Sequence, residues 1–331
     1  MDPRVNFQNI PVKHNPFWLK LNSFYLPTKR TKRYKRNLLS LGQKAKAIGR
    51  VIQTVNPDVI ISFQQEATFI LKGILKLDVP VITMFHGKPQ LFFEEEFFEQ
   101  YKQSLEDCEC CQILMPEYFE ELTRFFRPQK VELIPNVVPQ YTAGALLQEP
   151  TIIHIGRISP EKRQHLIVEA FSLLKDKYPE WNVEIWGETN CAPNYTNRVT
   201  QLISDNALTD RIRFCGSTNN IEEKLSKGAI FIFPSKNEGF PLALTEAMSK
   251  GLPAIGCQSC SAVNSLIRNG HNGFLCSDDP EDIAEKLELL MKDRVLRKQL
   301  GENAREDMKE YSADKIWGKW VNLIESVIAK K

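Results

Sequence analysis

Residues 233–255 read FPSKNEGFPLALTEAMSKGLPAI, from Phe233 to Ile255. An apolar run ends at Phe233 and a polar loop follows. Pro241 stands where the first helical turn tolerates proline, so the spacing predicts a helix over Leu242–Lys250. Gly251 suits the position that ends a helix, and a second apolar run starts at Pro253. Strand, loop, helix and strand in sequence make one unit of a parallel α/β sheet. Backbone N–H groups near Phe240–Leu242 are expected to be free at the helix start and to face the strand ends, an anion site suited to a diphosphate. Glu238 in the loop and Glu246 one turn into the helix are placed either to accept hydrogen bonds from sugar hydroxyls or to stand as solvated surface acids.

The same alternation extends outward on both sides. Strands are predicted at Thr151–Ile155, Asn182–Trp186, Arg211–Cys215, Ala229–Phe233, Pro253–Gly256 and Gly273–Cys276. Between and after them lie helical stretches at Glu161–Lys177, Asn197–Asn206, Ile221–Ser226, Leu242–Lys250, Ser261–Arg268 and Pro280–Met291. That pattern predicts a doubly wound parallel sheet, whose ligands bind at the carboxyl ends of the strands. A second loop of interest runs through Ile153-His-Ile-Gly-Arg-Ile-Ser-Pro-Glu-Lys162. Gly156 turns, a helix is expected from about Pro160, and Arg157 and Lys162 stand beside its start. Arginine forks to two oxygens and lysine supplies a point charge, a pair suited to pyrophosphate; the alternative is an ordinary loop with exposed cations.

Residues 1–140 repeat the theme less completely, with candidate strands at Asp58–Phe63, Val79–Phe85, Cys110–Met115 and Val131–Pro135. Pro139–Gly144 reads as the linker. The expected division is a short first domain over 1–140, a second over 141–312 and a last helix over 313–331 that packs back on the first.

Composition narrows the chemistry by exclusion. The 331 residues, 42% apolar and 25% charged, suit a globular chain of two domains. No apolar run approaches the ~18 residues that span a bilayer, and Met1–Ile10 carries no secretory signal. No two glycines are separated by one residue, so the dinucleotide fingerprint is missing, and Gly251-x4-Gly256 continues into Cys257 rather than the P-loop lysine. No glycine pair is four apart, which excludes a nucleophile elbow, and no D-x-D occurs to bridge a metal to a nucleotide sugar. The eight cysteines lack the paired spacing of a zinc site, so no metal is expected. Cys257-Gln-Ser-Cys260 has no thioredoxin-like surroundings, and reduced thiols are the default.

Taken together, the two loops resemble glycosyltransferase family 4, whose members are retaining enzymes of the GT-B fold. The family's G-R-x4-K loop is matched at Gly156, Arg157 and Lys162, and its E-x7-E pattern at Glu238 and Glu246, within a resemblance running from about Asp58 to Asn272. It implies two Rossmann-like doubly wound domains, the first incomplete here, and a nucleotide-sugar donor, UDP-linked in preference to GDP-linked. Carried over, Arg157 and Lys162 hold the donor diphosphate and Glu246 binds the ribose. Glu238 contacts the transferred sugar with the backbone of Gly239, Phe240, Pro241 and Leu242. Cys215, Gly216 and Ser217 lie beside the base. Asn136 resembles the family's hinge position. His86, at a strand end, resembles the histidine at the reaction centre; a lone loop histidine is otherwise structural. His14, His154, His165 and His271 read as structural or surface residues. No cofactor beyond the donor is implied.

Two features depart from the family. The strand and glycine-rich turn that usually open it are not found, so the first domain looks short, and a non-catalytic or truncated member that binds a nucleotide sugar or serves as a partner subunit stays as the alternative. Gly187-Glu-Thr189 also stands where the family commonly has Gly-x-Gly. Residues 1–60 hold twelve basic side chains against two acids, a +10 end on a −8 body. Aromatics in Phe17–Tyr25 beside Lys29–Arg36 suit an anionic membrane surface; the alternative is a solvated helix face. No recognition module accompanies the charge, which argues against nucleic acid. The expectation is a cytoplasmic glycosyltransferase, peripheral on the inner face of the cell membrane, serving a glycan or lipid-linked acceptor in cell-surface polysaccharide or glycoconjugate synthesis.

Overall fold

The computed structural model describes residue 10, residues 29–93 and residues 98–330; the side chains of residues 29–37, Leu91, Phe98 and Gln100 are outside the description. The expected membrane contact, at Phe17–Tyr25 and the side chains of Lys29–Arg36, therefore lies outside the described residues. The chain forms two compact units, one of residues 1–113, 118–133 and 320–331, the other of residues 114–117 and 134–319.

In the first unit, helix α1 (Lys29–Val55) precedes β1 (Ile60–Ser62), α2 (Gln65–Thr68, continuing as π-helix over Phe69–Ile74), β2 (Val81–Phe85), α3 (Pro89–Phe93), α4 (Phe98–Glu106), β3 (Cys110–Ile113), α5 (Tyr118–Phe125) and β4 (Val131–Leu133). The four strands are parallel in the order β1-β2-β3-β4. All five residues of β2 are buried, as expected of a strand covered on both faces.

The second unit holds β5 (Thr151–Ile155), α6 (Gln164–Ser172), β6 (Asn182–Trp186), α7 (Pro193–Asp205), β7 (Ile212–Gly216), α8 (Ile221–Lys227), β8 (Ile230–Phe233), α9 (Leu242–Ser249), β9 (Ala254–Cys257), α10 (Ser261–Asn264), β10 (Gly273–Cys276), α11 (Pro280–Lys292) and α12 (Arg294–Asp307). Its six parallel strands run β10-β9-β8-β5-β6-β7. The core is apolar and closed: Ile152, Val183, Ile230 and Ile232 from the strands meet Ile167, Phe171 and Leu287 from α6 and α11. Asp279 and Asp293 cap α11 and α12 by accepting from the Glu281 and Leu296 amides. The last helix, α13 (Ala313–Ile328), begins among the residues of the second unit and ends among those of the first.

Several boundaries differ from the sequence reading, and three of them have a local reason. The second unit begins at residue 134 rather than 141, and the supposed linker is bonded into it: the Gln140 side-chain amide donates to the Met308 carbonyl (3.0 Å) and the Arg305 guanidinium to the Thr142 carbonyl (2.8 Å). Helix α7 starts four residues before Asn197, on Pro193 as its first residue, where proline's missing N–H costs nothing. Helix α6 starts at Gln164, so Lys162 is not in a first helical turn. Residues 160–163 form a turn in which the amides of Lys162 and Arg163 both reach the Ser159 carbonyl (3.0 and 3.3 Å), and Arg163, with φ +53°, is left-handed and outside the helix.

Candidate functional site

In the second sheet β5 lies between β8 and β6. The chain moves outward from β5 through β6 to β7, then returns to the other side of β5 as β8. The loops after β5 and β8 therefore leave the sheet in opposite directions and open a crevice between them, the position where doubly wound sheets take ligands. Lys162 comes from the first loop and Glu238 from the second, and they form an ion pair across the crevice. Their side chains are 18% and 12% exposed, so the pair is shielded yet reachable from solvent. The Lys162 ammonium also lies 5.3 Å from the Phe233 ring centroid, at the end of β8, a favourable placement for a cation.

The walls of this crevice are laced backbone to backbone. Gly156 donates to the Trp186 carbonyl and Ile158 to the Glu188 carbonyl, both at 2.8 Å, while Gly187 donates to Gly216 at 2.8 Å. The loops after β5, β6 and β7 are thereby one layer. Gly187 has φ +148°, and a Cβ there would lie 2.1 Å from the Gly156 carbonyl oxygen. Only glycine permits so close an approach. On the other side, Lys236 donates to the Glu161 carbonyl at 2.9 Å.

Beneath the β5 loop lies His154, fully buried. Its Nδ1–H donates to the Ile232 carbonyl (2.9 Å), which leaves Nε2 to accept from the Gln164 amide (3.2 Å). Burial pushes the imidazole down to about 4, against the partial support of the Ile232 carbonyl and with Lys162 adding to the depression. His154 is thus a neutral structural histidine. Gln164 also donates to the Arg157 carbonyl at 3.0 Å, so His154 and Gln164 shape the turn that carries Arg157.

The remaining expected residues divide. Arg157 is exposed on its turn. Glu246 is half-buried one turn into α9, and burial pushes its carboxyl upward. It neighbours Tyr141, whose hydroxyl is pushed up to about 12 by burial, with Glu246 and then Glu222 adding. Cys215 and Gly216 end β7, with Ser217 exposed beyond them; the Gly216 carbonyl joins them to Gly187. Phe240 and Pro241 are buried, the former against Tyr311 at 5.7 Å between ring centroids. One expectation is corrected here. The Leu242 amide is not free at the helix start, because it donates back to the Phe240 carbonyl at 2.9 Å.

His86 belongs to the first unit. It is exposed past the end of β2 and stacks on Phe63, with centroids 5.2 Å apart and planes 3° from parallel. Burial of part of the ring lowers its basicity. Gln65, Phe85, Gly87, Lys88 and Phe92 complete a 230 Å³ hollow around the pair. Among the described residues, no group of three or more His, Cys, Asp or Glu side chains is placed to hold a metal ion. The cysteine pair noted in the sequence is buried, and Cys257 Sγ lies 3.8 Å from Cys276 Sγ on the neighbouring strand.

Two Rossmann-like units with a crevice at the switch point of the second belong to the GT-B class of glycosyltransferase folds. The crystal structure of Anabaena HepE in complex with UDP and glucose shares that fold, with a TM-score of 0.73 at 18% identity over 87% of this chain and 82% of that one. Residues 143–307, which contain the whole second sheet, match the family described as glycosyl transferases group 1. An uncharacterized glycosyltransferase of Haemophilus influenzae is 28% identical over 191 residues, 57% of this chain and 53% of that protein. The N,N'-diacetylbacillosaminyl-diphospho-undecaprenol alpha-1,3-N-acetylgalactosaminyltransferase of Campylobacter jejuni is 28% identical over 182 residues, 55% of this chain and 46% of that protein. The chain spans about half the length of these curated relatives.

Proposed function

We propose that the protein transfers a sugar, with retention of configuration, from a UDP-linked donor to a glycan or lipid-linked acceptor in cell-surface polysaccharide or glycoconjugate synthesis. The observation that carries this reading is the Lys162–Glu238 pair at the switch point of the second sheet, beside Arg157. In the free protein Glu238 neutralises Lys162. A donor diphosphate competes for the ammonium, and Glu238 is released to the hydroxyls of the transferred sugar. Arg157 supplies the second cation, Glu246 takes the ribose, and Cys215, Gly216 and Ser217 lie along the base. Gly156 and Gly239–Leu242 frame the diphosphate and sugar.

In the reaction the bond from the sugar's anomeric carbon to the diphosphate oxygen breaks. A bond to the acceptor oxygen forms on the same face, and the acceptor's proton passes to the departing diphosphate. Negative charge grows on the leaving group, and fixed cations stabilise it without reorganisation and without a metal. His86 hydrogen-bonds the sugar or acceptor. The names of the Campylobacter relative and of the HepE complex support a lipid-linked acceptor and a UDP donor respectively. Among the described residues no helix is long and apolar enough to cross a membrane. We place the protein in the cytoplasm, on the inner membrane face, with Lys29–Arg36 as its contact to anionic lipid.

The test is a panel of nucleotide sugars screened by thermal shift, followed by mass-spectrometric detection of transfer or donor hydrolysis with the best binder. Stabilisation by a UDP-sugar with sugar release is expected. Binding without any release would select a non-catalytic protein, and no binding at all would reject the donor site.

A further inference from the structure

Arg163 combines two features that are rarely found together. Its backbone is left-handed, with φ +53°, a conformation that glycine adopts without steric cost and other residues rarely occupy. Its side chain is nonetheless buried and fully engaged. Nε–H donates to the Pro234 carbonyl (2.6 Å), Nη2–H to Ser259 Oγ (2.8 Å), and Nη1 pairs with Asp278 Oδ2 (2.7 Å). Ser259 Oγ in turn donates to Asp278 Oδ1 at 2.7 Å. Burial alone would raise the Asp278 carboxyl, but the hydrogen bonds from Arg163 and Ser259 outweigh it and hold it below its ordinary value.

The partners lie on successive strand ends. Arg163 follows β5, Pro234 follows β8, Ser259 follows β9 and Asp278 follows β10, the four strands that are neighbours in the sheet. One side chain therefore bolts four strand ends together with charge-assisted bonds, the stronger kind. It also spans the two halves of the crevice. Arg163 is next in sequence to Lys162, and Pro234 opens the loop that carries Glu238.

We propose that Arg163 is a positioning residue, fixing the β8–α9 loop so that Glu238 stands opposite Lys162 in the geometry the transfer requires. The proposal rests on the donor-site reading above. Arg163 touches neither donor nor acceptor in that reading, so its loss lowers turnover more than it weakens donor binding. Misplacement of reacting groups by about 1 Å costs up to about 10²-fold in rate.

The experiment compares wild type, Arg163→Gly and Asp278→Asn. Arg163→Gly removes the bolt while relieving the left-handed backbone. Two readouts are needed: amide hydrogen exchange over residues 235–240, which is independent of catalysis, and kcat with donor KM. The expected result for Arg163→Gly is roughly tenfold faster exchange in that loop. It comes with a kcat lower by about 10- to 100-fold and a donor KM within about threefold of wild type, since affinity shared by ground and transition states is untouched. Asp278→Asn shifts both in the same direction by less, and it carries the test alone should Arg163→Gly not fold. Unchanged loop exchange in a folded variant overturns the proposal whatever the activity. Faster exchange with unchanged kcat overturns the positioning role. A wild-type protein that neither binds nor uses any nucleotide sugar instead identifies the donor-site reading as the failure and takes the positioning role down with it.

Discussion

The two parallel sheets finish differently at their carboxyl ends. In the second unit the loops after all six strands are cross-linked, three through backbone hydrogen bonds from Gly156, Ile158 and Gly187, the others through Arg163 and its partners. The groups they carry are charged. In the first unit the loops after β1 and β2 end in two stacked rings, Phe63 and His86, and Phe63 is 63% exposed. In the proposed reading this end handles departing negative charge, and such a site works through dipoles and cations fixed before reaction, which the lacing supplies. Ring faces of this kind act through apolar area rather than fixed charge. The contrast predicts that point changes in the second unit act steeply and those at the Phe63 end mildly.

The steepest break is expected at the crevice cations. Lys162→Ala and Arg157→Ala should each lower transfer by about 10²–10³-fold, the cost of one lost donor at a site of this kind; steady-state rates on the best donor decide it. Next comes acid. His154 is held neutral in the fold but takes up a proton once unfolded, so stability falls as pH drops from its ordinary titration range near 6.5 toward about 4. The loss over that window is about 3 kcal/mol, absent above it, and visible as a falling melting temperature between those two pH values. Replacing Gly187 is third. An alanine Cβ meets the Gly156 carbonyl, and overpacking of this sort costs about 1–3 kcal/mol, measured by denaturant unfolding. The mildest effect is expected at the other sheet, where Phe63→Ala should change stability by no more than about 0.5 kcal/mol. A large loss there would erase the contrast.

Much of this was legible in the sequence, because the second sheet's signals are local. Its six β-branched and aromatic runs, and the strand-loop-helix around Glu238 and Glu246, are read from neighbours in the chain. So was the grouping of Gly156, Arg157 and Lys162 in one loop at a strand end. What escaped depends on contacts distant in sequence or on single backbone angles. Nothing local marks Arg163 as left-handed, and only that angle moves the start of α6 from Glu161 to Gln164. His154 read as one structural histidine among several; its fixed tautomer depends on the Ile232 carbonyl, 78 residues away. The Lys162–Glu238 pairing likewise follows only once β8 is known to lie beside β5. The Leu242 amide was expected free by a general rule for helix starts, and a tight turn at Phe240 overrides it. A usable signal for α7 was present in Pro193, a first-turn proline.

The central claim is that the crevice between the β5 and β8 loops binds a nucleotide-sugar diphosphate through Lys162. Calorimetric titration of UDP-sugars into wild type and Lys162→Ala tests it most directly. Saturable binding by wild type, weakened in the variant by about tenfold or more, as expected on loss of a charged hydrogen bond, is the predicted result. Equal affinity in the two proteins, or no binding to wild type, would contradict it.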